Sequence, residues 1–246
     1  IPNTYFIYPN FAVFLRVLVI FATLTRKSMS SKFIIIRVLL FVLLVAGTTS
    51  AMIAQDNDFT TWTKFKVNHK IDSRFAVSGD LELRTEDDMS AIDRWGISVG
   101  GDYRAFSFLK FEIGYETHYR NLGEIGWKFR HRYRIGATAS FRYQWLKMSL
   151  RERFQQTFDR GESETRLRSR LKLGYAPKKG IVSPYFSIEI YQSLDDASFW
   201  RTARLRYRPG IEIDLTKRWS LDAFYCYQYE SSRGKHIAGV EVGYSF

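Results

Sequence analysis

The chain has 246 residues, of which 46% are hydrophobic, 17% aromatic and 25% charged, and its formal net charge is +12. This length suffices for one or two domains, but so many aromatic residues beside so many charges are unusual for a soluble core. The single cysteine, Cys226, excludes an internal disulfide framework and a cysteine-based zinc site, and we expect it to be a small filler side chain.

The first 54 residues are expected to lie outside the folded protein. Met29 opens a segment with two basic residues, an apolar run over Val38–Ala46 and small residues beyond it, which predicts a secretory signal peptide over residues 29–54. A transmembrane helix is the alternative, but the apolar run is short and no stop-transfer charges follow it. Residues 1–28 precede this methionine and are interpreted as upstream sequence translated by mistake. Without residues 1–54 the chain keeps 32 basic and 25 acidic residues, a net charge of +7.

The rest of the chain alternates between apolar and polar residues with a period of two, which predicts β-strands. In Gly126–Ser140, for example, one face carries Trp127 and other apolar residues, whereas the opposite face carries four consecutive basic side chains. Eleven segments follow this pattern: Phe59–Asn68, Arg74–Glu86, Arg94–Arg104, Leu109–Arg120, Gly126–Ser140, Leu146–Phe158, Thr165–Tyr175, Pro184–Gln192, Ala203–Leu215, Trp219–Glu230 and Ile237–Phe246.

Mostly short connections alternate with polar loops between these segments, and this is typical of a transmembrane β-barrel. A soluble sandwich or a lipocalin-like barrel is the competing fold, but its interior would be too small for so many aromatic residues. The sequence therefore predicts an all-β, antiparallel, up-and-down transmembrane barrel of about ten to twelve strands over residues 55–246. An even number is expected in bacterial barrels, so either Phe59–Asn68 is not a full strand or one strand escapes the pattern.

The chain ends in "AGVEVGYSF", whose Tyr244 and Phe246 resemble the C-terminal signal read by the barrel-assembly machinery, although Glu241 stands where glycine is usual. With Trp62 and the Glu82-x-Arg84 pair, this ending resembles a family of uncharacterised Gram-negative outer-membrane barrels, the domain of unknown function 2490. The resemblance spans about residues 57–246. It implies a location in the Gram-negative outer membrane, with lipid or lipopolysaccharide and the assembly machinery as partners. It implies no activity.

The polar face of the strands is expected to line the barrel lumen, where charges are solvated or paired, because charges facing lipid cost about 2–4 kcal/mol near the midplane. One interpretation is an internal network in which a basic wall meets acidic walls across the lumen. Another is a narrow anion-preferring passage or a binding site for a small anionic solute, since arginine suits phosphate and carboxylate. Nucleic-acid binding is disfavoured because the charge is interior. The basic candidates are Lys128, Arg130, Arg132, Arg134, Arg151, Arg153, Arg166, Arg168, Arg170, Arg204, Arg206 and Arg208.

Three polar residues break the apolar register of successive strands, namely His131, Glu152 and Ser169. Counted from the strand ends, they could form a row on the lipid-facing wall and act as an acyl-ester hydrolase, with Ser169 as nucleophile and His131 as base. We expect Glu152 to lie between the other two and to keep them roughly 9–10 Å apart, which precludes a direct Ser–His pair. A structural, binding or transport role is therefore favoured over catalysis. No motif for a metal or a cofactor is present.

Overall fold

The alternating segments form eleven β-strands in the part of the chain that the computed structural model describes, namely residues 58–159, 161–175, 180–195, 199–230 and 233–246. The predicted signal peptide and the upstream segment lie outside these residues. The strands are β1 (Asp58–Lys70), β2 (Phe75–Glu86), β3 (Ala91–Arg104), β4 (Leu109–Asn121), β5 (Trp127–Tyr143), β6 (Leu146–Asp159), β7 (Glu162–Tyr175), β8 (Val182–Ser193), β9 (Thr202–Asp214), β10 (Trp219–Glu230) and β11 (Arg233–Ser245). No helix in the described residues is long and apolar enough to cross a membrane.

The strands close into a barrel in sequence order. Each consecutive pair is antiparallel, but β1 and β11 pair in parallel, from Asp58 opposite Lys235 to Asn68 opposite Ser245. The predicted all-β, up-and-down barrel of about ten to twelve mainly antiparallel strands is confirmed, but the expectation of an even strand number was wrong. Each hairpin reverses the chain direction, so the first and last of eleven strands must run the same way. Phe59–Asn68 belongs to a full strand, and the described residues contain no twelfth.

The two faces of the barrel wall are assigned by contacts between strands that are not neighbours. Arg153 of β6 reaches Glu112 of β4 at 2.5 Å, and Arg208 of β9 reaches Glu241 of β11 at 2.9 Å. Side chains can pass over an intervening strand in this way only inside the barrel. The outer face is apolar: Ile113 and Ile135, paired across β4 and β5, are 62% and 54% exposed. Such a continuous exposed apolar surface is stable in lipid rather than in water.

The connections also divide between the two ends, as the sequence predicts. At the end that holds the C-terminus, a short turn joins β1 to β2, and the Asp72 carboxylate accepts the N–H groups of Arg74 and Phe75 at 2.6 and 2.7 Å. These two hydrogen bonds, led by that from Phe75, lower the pKa of the Asp72 carboxyl from its usual value. At the opposite end, a 3-10 turn at Gly123–Ile125 lies in the connection between β4 and β5.

Candidate functional site

The strand register places all twelve basic residues of the candidate set on the lumen side of the wall. Arg132, for example, lies opposite Thr157 across β5 and β6, and its Nε donates to the Thr157 hydroxyl at 2.8 Å, whereas Tyr133 and Gln156 form the adjacent outward pair. Strands β5, β6 and β7 contribute nine of the twelve, so the lumen has a basic wall, defined here as the lumen face of these three strands. The chain folds this way because a period-two pattern sends every second side chain to the same face.

The ion pairs of the basic wall join nearby strands rather than opposite sides of the barrel. Arg132 and Arg134 share Glu116 of the adjacent β4, each at 3.5 Å, and Arg130 contacts Asp159 of the adjacent β6 at 2.5 Å. Among the described residues, no ion pair of this wall spans the lumen. An internal ion-pair network is present, as one interpretation of the sequence predicts, but the basic wall does not meet acidic walls across the lumen, because acidic side chains lie within reach on adjacent and next-adjacent strands.

Four arginines, which we call the arginine quartet, form the densest part of the basic wall. Arg151 of β6 lies directly opposite Arg170 of β7, and Arg153 lies directly opposite Arg168. Their side chains are only 13–21% exposed. Like charges directly opposite one another on neighbouring strands are destabilising. The four positive charges of the quartet therefore repel one another within the lumen wall.

One buried carboxylate, Glu189 of β8, offsets part of this charge. Arg168 Nη2 donates to both of its oxygens at 2.7 and 2.8 Å. Arg170 Nε lies 3.4 Å, Arg206 Nη1 3.6 Å and Arg151 Nη2 4.0 Å from the same carboxylate, which is 2% exposed. Glu189 thus carries one negative charge among four guanidinium groups.

Not every donor of the quartet is used. The Nε atoms of Arg151 and Arg168 are buried and find no hydrogen-bond partner among the described residues, whereas that of Arg170 has only its 3.4 Å ion pair with Glu189. Buried donors without a partner are uncommon in folded proteins and mark places where a further acceptor is favourable. The quartet therefore combines excess positive charge with unused hydrogen-bond donors.

The arginines of β9 are better satisfied. Arg204 pairs with Glu230 at 2.6 Å, and Arg208 Nη2 contacts both Asp222 and Glu241 at 2.8 and 2.9 Å. Their carboxylate partners, Glu230, Asp222 and Glu241, lie on the neighbouring strands β10 and β11. The densest group of incompletely compensated cations in the lumen therefore lies on the basic wall and not on β9.

An apolar cluster narrows the lumen beside β9. It consists of Phe224, Cys226 and Ile237, with Trp62 packed against it. The guanidinium of Arg208 lies 3.4 Å from the Phe224 ring centroid, and those of Arg84 and Arg206 lie 3.7 and 4.7 Å from that of Trp62. Cys226 fills space as the sequence predicts. The cluster itself was not predicted, because each of its residues is an isolated apolar residue on the polar face of its strand and nothing in the sequence indicates that these residues meet.

A cavity of about 450 Å³ lies in the lumen towards the C-terminal end of the barrel. Among its lining residues are Lys66, Arg142 and Lys147, none of which forms an ion pair within 4 Å with another described residue. The acidic lining residues are Glu212, Asp214, Asp222 and Glu241. Ser149 and Lys172 also line it, and they are the lumen-facing positions next to Arg151 and Arg170. The cavity therefore leads to the edge of the quartet.

The proposed row of Ser169, Glu152 and His131 does not form. Ser169 Oγ donates to Glu152 Oε2 at 2.6 Å, so these two residues are brought together. His131, however, pairs with Phe158, and Glu152 pairs with Ala137 six residues further along β5, about 20 Å away. The strands are staggered, so positions counted from their ends do not align. A direct Ser–His pair is absent, as expected, but for a reason that the sequence did not reveal.

His131 instead belongs to an aromatic patch on the outer face, where it stacks on Phe158 with ring centroids 4.9 Å apart. His118, which has no obvious partner in the sequence, faces the lumen and lies 3.4 Å from Glu116. Among the described residues, no group of histidine, cysteine and acidic side chains is arranged to hold a metal ion.

The two C-terminal aromatic residues lie on the outer face at the end of the barrel. Tyr244 and Phe246 contact each other edge to face at 4.9 Å, and the backbone N–H of Phe246 donates to the carbonyl of Asn68 at 3.0 Å. Phe246 is 66% exposed, so its ring is available to lipid or to another protein.

A closed wall with an apolar exterior and a charged interior defines a transmembrane β-barrel. The chain belongs to the family described as "Protein of unknown function (DUF2490)", whose sequence profile matches residues 59–237. Its fold is similar to that of the translocator domain of the autotransporter NalP from Neisseria meningitidis, with 17% identity, a TM-score of 0.46 and coverage of 73% of this chain and 77% of that one. It is also similar to the NanC porin, with 11% identity, a TM-score of 0.47 and coverage of 77% and 99%. No curated protein matches the sequence.

Proposed function

We propose that this protein is an outer-membrane barrel of Gram-negative bacteria that binds small anionic solutes in its lumen and forms a narrow, anion-preferring passage. The observation that carries this proposal is the basic wall of the lumen, which keeps cations, Arg142 and Lys147 among them, that no carboxylate neutralises. Rings and walls of arginine and lysine are the usual basis of anion preference in pores.

The cavity supports the proposal because two unpaired basic side chains line it where it adjoins the basic wall. Arg142 and Lys147 lie at the cavity end of the basic wall and have no ion-pair partner within 4 Å among the described residues. Unpaired charges attract counter-ions and raise their local concentration. A small anion entering the cavity would therefore meet Arg142 and Lys147 first and the quartet next.

The apolar cluster supports a narrow passage rather than a wide channel. Trp62 and Phe224 project into the lumen, and their rings lie 6.5 Å apart. In small barrels, inward-pointing side chains of this kind fill much of the interior. We therefore expect low conductance, with lipid or lipopolysaccharide around the wall and the barrel-assembly machinery as the partner that inserts it.

Planar-bilayer recording tests the proposal. Purified barrel under a potassium chloride gradient should give a reversal potential that indicates chloride preference, with small unitary currents. The double variant Arg142→Glu/Lys147→Glu should lose or reverse this preference, because it replaces two unpaired cations by two anions at the cavity mouth.

Lys110→Glu is the matched control. Lys110 lies at the same end of the barrel but is already paired with Asp102 at 3.2 Å and does not line the cavity. It should leave the reversal potential nearly unchanged. Cation preference in the wild-type barrel, or equal effects of the control and the double variant, would contradict the proposal.

A further inference from the structure

The quartet and its nearest charges do not balance. Five guanidinium groups, from the quartet and Arg206, surround two carboxylates, Glu189 and Glu112. Five positive charges against two negative ones leave a formal excess of three. Uncompensated charge in a partly desolvated site is unfavourable, and binding of an anion there would relieve it.

The geometry of the donors suits an oxyanion rather than a simple halide. Guanidinium groups present several N–H donors in a plane and match phosphate, sulfate and carboxylate oxygens. Two quartet Nε atoms, those of Arg151 and Arg168, are buried without a partner among the described residues, and that of Arg170 has only its 3.4 Å contact with Glu189. A tetrahedral oxyanion offers several acceptors at once, and two charges on one ligand offset more of the excess than one does.

The closed wall restricts where the ligand comes from. All eleven strands are hydrogen-bonded into one closed barrel, so a lipid with its acyl chains in the membrane cannot place its headgroup on the quartet from the side. The cavity, by contrast, reaches Ser149 and Lys172, one lumen-facing position from Arg151 and Arg170. A water-soluble ligand can therefore approach through the cavity.

We infer that the arginine quartet with Arg206 is a binding site for a divalent oxyanion of the phosphate or sulfate type, and that Glu189 competes with it as a carboxylate built into the site. This inference rests on the proposed function and specifies its ligand. Glu189 is bonded through both oxygens by Arg168, which a phosphate would otherwise contact. The opposing effects expected from removing an arginine and from removing Glu189 distinguish this site from a purely structural ion network.

Isothermal titration of the detergent-solubilised barrel with inorganic phosphate and with sulfate, at constant ionic strength, tests the inference. The wild type should bind both saturably and should bind acetate about tenfold more weakly or less, because acetate carries one charge. Arg151→Gln and Arg170→Gln should each raise the phosphate Kd by about tenfold, the loss expected for one charge-assisted contact. Glu189→Gln should lower this Kd, because the competing carboxylate is gone.

Arg204→Gln is the control for a lumen arginine with its own partner, Glu230, and should change the Kd by less than about twofold. Only variants that fold, as judged by a heat-dependent shift in gel mobility, are compared. If Arg151→Gln does not fold, Arg151→Lys, which keeps the charge, replaces it. An increased Kd for Glu189→Gln, or an unchanged Kd for the arginine variants, would overturn the site. Chloride preference without phosphate binding would reject this inference alone, whereas phosphate binding without chloride preference would reject the passage alone.

Discussion

Glu152 and Ser169 are a polar pair on a surface that otherwise faces lipid. Glu152 lies near the middle of β6, and Ser169 lies directly opposite it near the middle of β7. A carboxylate is unfavourable in hydrocarbon unless it is hydrogen-bonded, and here the Ser169 hydroxyl donates to it at 2.6 Å. The hydroxyl therefore has a structural role that needs no catalytic base.

Replacing Ser169 tests this role. Ser169→Ala should lower the free energy of unfolding by about 1–3 kcal/mol, because it leaves the Glu152 carboxylate without its donor. Glu152→Leu should leave stability unchanged or raise it, since it removes the charge from the lipid face. The measurement is reversible urea unfolding in lipid vesicles. Ser149→Ala, on the lumen face of β6, is the control, and an equal loss in that variant would contradict the explanation.

At the scale of the strands, the parallel pairing of β1 with β11 is the least common feature of the wall. Thr63 lies opposite Val240, and both side chains belong to the outward register. Neighbouring strands are about 5 Å apart, which is within the range that a disulfide can bridge. The pair is therefore a direct reporter of the closure and of its register.

A double-cysteine variant tests the pairing of β1 with β11. Thr63→Cys with Val240→Cys, in a Cys226→Ser background, should form an intramolecular disulfide under mild oxidation and shift the mobility of the unreduced protein. Thr63→Cys with Val242→Cys should react much less, because Val242 lies opposite Phe65, two residues further along. Preferential crosslinking of the second pair would show that the register differs.

At the scale of the whole molecule, the C-terminal aromatic residue belongs to the apolar exterior of the barrel. The exposed ring of Phe246 stands at the end of β11, beside His69 of β1 with ring centroids 5.9 Å apart. It makes few contacts that the folded barrel needs. We therefore expect this ring to act in recognition by the assembly machinery rather than in the stability of the folded barrel.

Removing the Phe246 ring distinguishes a role in the assembly of the barrel from a role in its stability. Phe246→Ala should reduce the amount of folded barrel in the outer-membrane fraction, while the unfolding free energy of the purified barrel changes by less than about 1 kcal/mol. Phe199→Ala, at an equally exposed phenylalanine in the connection between β8 and β9, is the control and should not affect insertion. Equal membrane levels of the wild type and Phe246→Ala would reject the assembly role.

The sequence by itself determined which side chains face lipid and which face the lumen. Alternation has a period of two in any strand, so the orientation of Arg168 and Ile135 follows from their positions in the chain. The number of strands could be counted to within one for the same reason. Closure could not, because a parallel pairing of β1 and β11 involves residues about 180 positions apart, which local pattern does not encode.

Only the tertiary structure decided which residues meet. The ends of predicted strands are uncertain by a few residues, and the stagger of β5 against β6 was enough to separate His131 from Glu152. The same applies to Glu189, which was one acidic residue among many in the sequence. It becomes the centre of four guanidinium groups because long arginine side chains reach it from β6, β7 and β9, and that convergence depends on barrel curvature and register.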